Sequence, residues 1–221
     1  GGASHTEGNK TTASATNAHA EGFWTIASGN YSHAEGYNSK SIGIATHAEG
    51  SGTTSGGDSS HAEGVSTTAS NEASHAEGNG SIASGLNSHA EGSRTLSSGN
   101  YTHTEGASTV ATGDTAHAEG GSTTAYGHYS HAEGAGSITY GNYSHAGGWV
   151  SIASGQTSFV HGYNSRANGQ TTITGANTFN NLTVTGPASA GVVQVTFAAR
   201  QTINGTLSTT GTAGNRRVWF R

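Results

Sequence analysis

The chain contains no cysteine, no methionine and only one proline among its 221 residues. The lack of cysteine removes thiolate chemistry and is compatible with an exported bacterial or viral protein. Only 31% of the residues are apolar and 10% are charged, so a conventional core of leucine, isoleucine and phenylalanine cannot be built. The low charge also argues against charge-driven disorder.

Positive charge and long apolar runs are scarce as well. Eight lysines and arginines and a formal net charge of -5 argue against a nucleic-acid partner. No apolar run approaches the roughly 18 residues that span a membrane, so we expect no membrane insertion within this chain. Because the sequence begins GGASH without a methionine, we expect a piece of a longer protein.

Glycine and histidine are abundant instead, with 36 and 13 copies placed in a strict 14-residue period. Histidine recurs every 14 residues from His5 to His145, and glutamate follows two positions later from Glu7 to Glu133. With histidine as position 0, glycine holds +3 from Gly8 to Gly162, and serine or threonine holds +6. The unit is H-A-E-G-x-x-[ST]-x-[AS]-x-G-x-x-[ST], with glycine at +10 in ten of twelve copies.

This period predicts an all-β solenoid in which every coil holds two short strands. Residues at -1 and +1 point to one side of the chain and His and Glu to the other, which is the alternation of a strand. Glycines at +3 and +10 are expected at the corners because glycine tolerates positive φ. Small Ala, Ser and Thr would fill the interior, and coils stacked in parallel about 4.8 Å apart would form a rod roughly 55 Å long.

The last copies depart from the motif. Gly147 replaces the glutamate, and the twelfth copy has Phe159 in the histidine column and His161 in the glutamate column. Beyond this copy the period ends. We therefore expect two domains, a β-roll of about twelve coils at residues 1–169 and a small β-rich extension at residues 170–221. The closing RRVWFR is either a strand cut short or part of an interaction surface.

The unit S-H-A-E-G-x-x-S-x-A-x-G-x-x-S resembles the head repeat of trimeric autotransporter adhesins of the Yersinia adhesin type, S-V-A-I-G-x-x-S-x-A-x-G-x-x-S, over about Ala3–Gly169. The resemblance implies a left-handed parallel β-roll, three chains side by side and a non-enzymatic role in attachment. HAEG arrays also resemble those of phage tail-fibre and Gram-positive surface proteins, so the implied location is a bacterial cell surface or a virion tail. The family's coiled-coil stalk has no counterpart here, since no heptad pattern follows the repeat.

In that family, the two aliphatic positions of the motif pack into the trimer interface, and His and Glu occupy those positions here. We therefore predict a hydrogen-bonded network at the seam of a homotrimer, with solvent exposure of this face as the alternative. Paired imidazoles should have a raised pKa, and stability should be greatest at mildly acidic pH. The predicted network comprises His5, Glu7, His19, Glu21, His33, Glu35, His47, Glu49, His61, Glu63, His75, Glu77, His89, Glu91, His103, Glu105, His117, Glu119, His131, Glu133 and His145.

The repeated His–Glu pair also raises the question of metal binding or catalysis. Imidazole and carboxylate are good ligands for Zn, Ni or Cu, so capture of ions by the array stays open, with no ligand set favoured and no resident cofactor expected. Equivalent histidines in eleven coils are not how a catalytic centre is built, and the H-E-x-x-H spacing is absent, so we expect no enzyme. Threonines recur at +6, but the pattern places them inside, which argues against an ice-binding lattice.

Aromatic residues occupy the variable corner positions of the repeat. Exposed aromatic rings often contact sugars or protein surfaces, so these residues are candidates for binding a host-cell glycan or protein receptor. The alternative is that they cover the edges of the roll or pack between subunits, in which case the chain is a structural shaft or spacer. The candidates are Phe23, Trp24, Tyr31, Tyr37, Tyr101, Tyr129, Tyr143 and Trp149.

Overall fold

The computed structural model of the chain describes residues 2–168 and 172–173. Over this part, the predicted all-β parallel solenoid of 14-residue coils is confirmed. The extension expected at residues 170–221 lies outside the described residues, apart from the strand Thr172–Ile173. None of the described residues belongs to a helix long and apolar enough to cross a membrane.

Each coil contains a longer strand that begins at the histidine column and a two-residue strand after the next corner. The longer strands are β1 His5–Asn9, β3 His19–Phe23, β5 His33–Tyr37, β7 His47–Ser51, β9 His61–Val65, β11 His75–Asn79, β13 His89–Ser93, β15 His103–Ala107, β17 His117–Gly121, β19 His131–Ala132, β21 His145–Trp149, β23 Phe159–Tyr163 and β25 Thr172–Ile173. The short strands are β2 Thr12–Ala13, β4 Ile26–Ala27, β6 Lys40–Ser41, β8 Thr54–Ser55, β10 Thr68–Ala69, β12 Ile82–Ala83, β14 Leu96–Ser97, β16 Val110–Ala111, β18 Thr124–Ala125, β20 Ile138–Thr139, β22 Ile152–Ala153 and β24 Arg166–Ala167.

The two kinds of strand form two separate parallel sheets. Within the described residues, β1 to β25 with odd numbers make a 13-stranded sheet, and β2 to β24 with even numbers make a 12-stranded sheet. Neighbouring strands of the first sheet pair without any offset, so that His33 lies opposite His47 and Glu35 opposite Glu49. The 14-residue period therefore places equal residues in columns along the solenoid.

The interior between the sheets is narrow and is filled by small side chains, as predicted. Alanines at +1 and +8, such as Ala62 and Ala69, are fully buried. The hydroxyls at position -1 are satisfied inside the corner, where Ser32 Oγ donates to the Gly29 carbonyl oxygen at 2.6 Å. Burial of hydroxyl groups is tolerated here because the adjacent corner supplies acceptors.

The two glycine columns have different causes, which corrects the expectation that both supply positive φ. Gly22 at +3 has a φ of 112°, whereas Gly29 at +10 is not among the residues with positive φ. A Cβ on Gly29 would overlap the carbonyl oxygen of Gly43 in the next coil. The +10 glycines are therefore needed for the close approach of successive coils and not for their φ.

Positive φ at the corners is instead adopted mostly by residues with side chains, at +5 and +12. Trp24 and Tyr31 both have a φ of 60°. Their N–H groups point back along the solenoid, and Tyr31 N donates to Thr16 O in the preceding coil at 2.9 Å. Strand residues donate in the other direction, since His33 N donates to Thr46 O in the next coil at 2.9 Å. Each coil is thus held to both neighbours.

Candidate functional site: the His–Glu face

The predicted orientation of the longer strands is confirmed. Residues at +1, such as Ala34, are fully buried, while His33 and Glu35 on either side point out of the roll. The outward side of the large sheet therefore presents columns of histidine and glutamate. We call this surface the His–Glu face, and it contains all 21 residues of the predicted network from His5 to His145.

The histidines of the face stack on one another like a column of plates. From His19 to His131, successive ring centroids lie 4.7–4.8 Å apart with interplanar angles of at most 22°. The column ends with edge-on contacts of His5 against His19 and of His145 against His131. Phe159 extends the column by stacking on His145 at 4.8 Å, which explains an aromatic residue at that position.

The stacking hides one nitrogen of each ring. Between 37% and 27% of the side chain is exposed for His33 and His145, yet the Nε2 atom of each is removed from solvent and has no hydrogen-bond partner. An unsatisfied buried polar atom costs about 1–3 kcal/mol. The full set of such atoms is Nε2 of His19, His33, His47, His61, His75, His89, His103, His117, His131 and His145.

The pairing of histidine with glutamate changes along the solenoid. In the first six coils, each Nε2 lies 3.6–4.0 Å from the glutamate of its own coil, ending with His75 and Glu77. Towards the other end, each histidine pairs with the glutamate of the preceding coil, as in His131 with Glu119 at 3.6 Å. These distances exceed the usual range of a hydrogen bond, so the face holds close charge contacts and not the predicted hydrogen-bonded network.

Between these two regions, the described chain shows no ion pair of His89, His103 or His117 within 4.0 Å. Their carboxylate neighbours are shared instead. An oxygen of Glu91 and ring nitrogens of both His89 and His103 all lie within 4.8 Å of one another. The same arrangement occurs in the sets His75–Glu77–His89, His103–Glu105–His117 and His117–Glu119–His131.

Burial lowers the pKa of six imidazoles on the face, and neighbouring imidazoles in the column lower it further. The nearby glutamates act in the opposite direction with a smaller effect. The predicted rise in imidazole pKa is therefore wrong for these residues, because stacking removes water from the rings and the carboxylates are not close enough to compensate. The six are His33, His61, His75, His89, His117 and His145.

The departures from the motif near the end of the repeat form one arrangement. Glu133 Oε1 lies 3.4 Å from His145 Nε2 and 3.5 Å from His161 Nε2. A Cβ on Gly147 would overlap the His161 ring and lie 2.7 Å from Glu133 Oε1. Glycine at 147 therefore leaves the space that His161 uses to reach a glutamate two coils away.

Aromatic candidates lie at the corners, and most of them are strongly exposed. Phe23 stacks on Tyr37 with centroids 5.7 Å apart, and Lys10 Nζ lies 4.7 Å above the Trp24 ring. Tyr129 and Tyr143 stack at 5.2 Å on the other corner. The exposed candidates are Tyr31, Tyr101, Tyr129 and Tyr143 at 62%, 58%, 57% and 56%, Trp149 at 57%, Tyr37 at 50% and Trp24 at 43%, while Phe23 is half-buried.

Two features of the corners were not predicted as sites. Tyr126 and Tyr140 stack at 5.2 Å beside the Tyr129–Tyr143 corner, and both are exposed. At +11, side chains cap the backbone of the preceding coil, as when Ile44 N donates to Asp58 Oδ1 at 2.8 Å. The recurrence of Asn and Asp every 14 residues at +11 is the signal that would have revealed this capping.

No protein-family model matches the chain, and no curated protein shows detectable similarity to it. The structure therefore establishes a parallel β-solenoid repeat protein, and the likeness of its unit to an adhesin head repeat stays a resemblance of the motif.

Proposed function

We propose that the chain is a non-enzymatic fibrous protein that assembles as a homotrimer through the His–Glu face and attaches to a cell surface through its aromatic corners. Its setting would be extracellular, on a bacterial surface or a virion tail. The observation that carries the assembly is the column of ten Nε2 atoms without hydrogen-bond partners. A surface that repeats one unsatisfied group in every coil fits a partner that repeats at the same spacing.

A further copy of the chain is the simplest partner with that spacing. Rotational symmetry brings equal columns together around one axis, so each chain would offer its carboxylates to the imidazoles of the next. Three chains follow from the resemblance of the repeat to trimeric adhesin heads. Such pairing would bring donors and acceptors within hydrogen-bond distance, which the separations of 3.6–4.0 Å within one chain do not achieve.

Attachment rests on the exposed aromatic rings. Stacked pairs such as Tyr129–Tyr143 offer flat apolar surfaces with polar edges, which suit sugar rings and protein surfaces. In a trimer every corner would occur three times, so weak single contacts would combine into high avidity. The second candidate function is a shaft or spacer, which the same stacked rings would support by protecting the edges of the roll.

The assembly is tested by the solution mass of the untagged protein, measured by light scattering. We expect the mass of three chains. The variant His47→Lys, His61→Lys should dissociate, because it places unpaired cations at the seam. Thr54→Lys, Thr68→Lys is the matched control in the same coils, since Lys40 already occupies that column on the opposite sheet. A monomer for the wild type, or equal loss in both variants, would contradict the assembly.

The attachment is tested with fluorescently labelled protein on a glycan array and on whole bacterial cells. The double variant Trp24→Ser, Trp149→Ser should lose most binding, while Ile82→Ser, which removes an exposed apolar residue from the opposite sheet, should retain it. Unchanged binding by the tryptophan variant, or no binding by the wild type, would favour the shaft or spacer.

A further inference from the structure

We propose that the middle of the His–Glu face binds divalent metal ions of the zinc class. Each site would use two imidazole nitrogens and one carboxylate oxygen. The four candidate sets are His75–Glu77–His89, His89–Glu91–His103, His103–Glu105–His117 and His117–Glu119–His131. Every set comes from a single chain, so the sites go beyond the proposed attachment role and do not rest on trimer formation.

The geometry of the sets suits a small ion. Within each set, the three ligand atoms lie within 4.8 Å of one another. Zinc bonds to nitrogen and oxygen are about 2.0–2.2 Å long, so ligand atoms on opposite sides of the ion lie up to about 4.2 Å apart. Small rotations of the side chains would close the difference. Two histidines and one glutamate also leave one tetrahedral position open, which water or a partner's side chain can fill.

The unmet bonding of these residues points to an ion rather than to a further hydrogen bond within the chain. The Nε2 atoms of His89, His103 and His117 are removed from solvent, accept or donate no hydrogen bond, and take part in no ion pair within 4.0 Å in the described chain. Ligand atoms of metals are nitrogen and oxygen atoms of this kind, with a free lone pair facing a common point.

The charges of the face favour a cation at the same place. Glu91 lies opposite Glu105 in neighbouring strands, and Glu105 lies opposite Glu119. Parallel strands are about 4.8 Å apart, so these carboxylates repel one another along the column. Described lysines and arginines do not form an ion pair with any of them. A divalent ion beside each second glutamate would relieve this repulsion.

The overlap of the sets fixes the number of ions. Neighbouring sets share one histidine, which cannot serve both at once through the same nitrogen. Two sets without a shared residue can be filled together, for example His75–Glu77–His89 with His103–Glu105–His117. The wild-type chain should therefore bind two ions at full occupancy.

The test is equilibrium dialysis of the untagged full chain against Zn²⁺ alone at pH 7.5, after removal of metal with a chelator. The wild type should bind two ions per chain. His103→Gln should still bind two, because the first and last sets stay intact, whereas His89→Gln should bind one, because the two remaining sets share His117. The double variant His89→Gln, His117→Gln disrupts all four sets and should lose tight binding by at least tenfold in Kd.

The matched control is His33→Gln, His61→Gln, which makes the same change in the coils where histidine pairs with the glutamate of its own coil. It should bind two ions like the wild type. Circular dichroism before dialysis shows whether each variant is folded, and the contrast between His103→Gln and His89→Gln carries the test if the double variant does not fold. Binding of about ten ions, no tight binding by the wild type, or equal losses in control and double variant would overturn the proposal.

Discussion

Glu133 and His161 are in contact across an intervening coil, with Oε1 and Nε2 separated by 3.5 Å. Gly147 lies between them in the glutamate column and has no side chain to separate the two. The contact explains why glutamate is missing from one coil and why a histidine occupies the glutamate column in the next. These two departures from the repeat therefore form one compensated change.

Gly147→Ala should break this contact and leave the solenoid folded. The new Cβ would displace the exposed His161 ring from Glu133, while the strand backbone accepts alanine because Gly147 is not among the residues with positive φ. Contacts of exposed charged groups contribute about 0.2–1 kcal/mol. His161→Gln should lower the free energy of unfolding by that amount in the wild type and leave it unchanged in Gly147→Ala. A double-mutant cycle from urea denaturation measures this, and equal effects in both backgrounds would show that the contact contributes nothing.

Stability should fall as the pH decreases below about 6.5, the usual pKa of histidine in an unfolded chain. Burial lowers the pKa of His33, and the neighbouring His47 lowers it further. The unfolded state then takes up protons first as the pH falls, so the loss begins at the unfolded pKa and is complete below the folded pKa. Thermal melting from pH 5 to pH 8 with a chelator present checks this. His33→Gln should melt with a weaker dependence on pH, and a maximum at mildly acidic pH would contradict the sign.

Replacement of buried threonine by valine at +6 should be neutral or stabilising. Thr53 and Thr67 are fully buried, and their Oγ1 atoms have no hydrogen-bond partner. Valine has the same shape without the polar atom, so Thr53→Val should gain up to about 1 kcal/mol. Ser39→Ala is the contrasting variant, because Ser39 Oγ donates to Gly50 O at 3.0 Å, and it should lose about 1 kcal/mol. Urea denaturation decides; destabilisation by the valine would mean that the hydroxyl is satisfied in solution.

Val150→Asn should stabilise the protein. Val150 has a φ of 54°, a conformation that is unfavourable for a β-branched side chain and easier for asparagine. Asn38 already occupies the equivalent corner position with the same φ of 54°. We expect a gain of about 1 kcal/mol, and only a few tenths from the control Ser66→Asn at the same corner. Thermal melting of both variants measures the difference, and an equal shift in the two would rule out relief of backbone strain as its cause.

The arrangement of the coils was predictable because one period fixes three things together. A 14-residue repeat with alternating small and large residues determines which side chains point inwards, and identical spacing aligns His61 with His75. The face on which His and Glu lie follows directly. The structure confirms each of these features from the positions of alanine and histidine alone.

Other features depend on distances that the motif does not contain. The letters HAEG are the same around His61 and His117, yet His61 pairs with the glutamate of its own coil and His117 has no pair within 4.0 Å. Small displacements that accumulate from coil to coil decide this, and they have no signature in the sequence. The role of glycine at +10 was misjudged for a similar reason, because the nearest atom belongs to the next coil and not to the neighbouring residue.

The unshifted register of the coils has a consequence for how such a protein can change its length. Removal or duplication of 14 residues in the middle of the array would join one coil to another that ends in the same position and direction. Recombination between repeated gene segments could therefore lengthen or shorten the solenoid in steps of about 4.8 Å without rebuilding its interior. The exception is the stretch from Glu133 to His161, where the contact spans two coils and only a change that keeps all three copies together would preserve it.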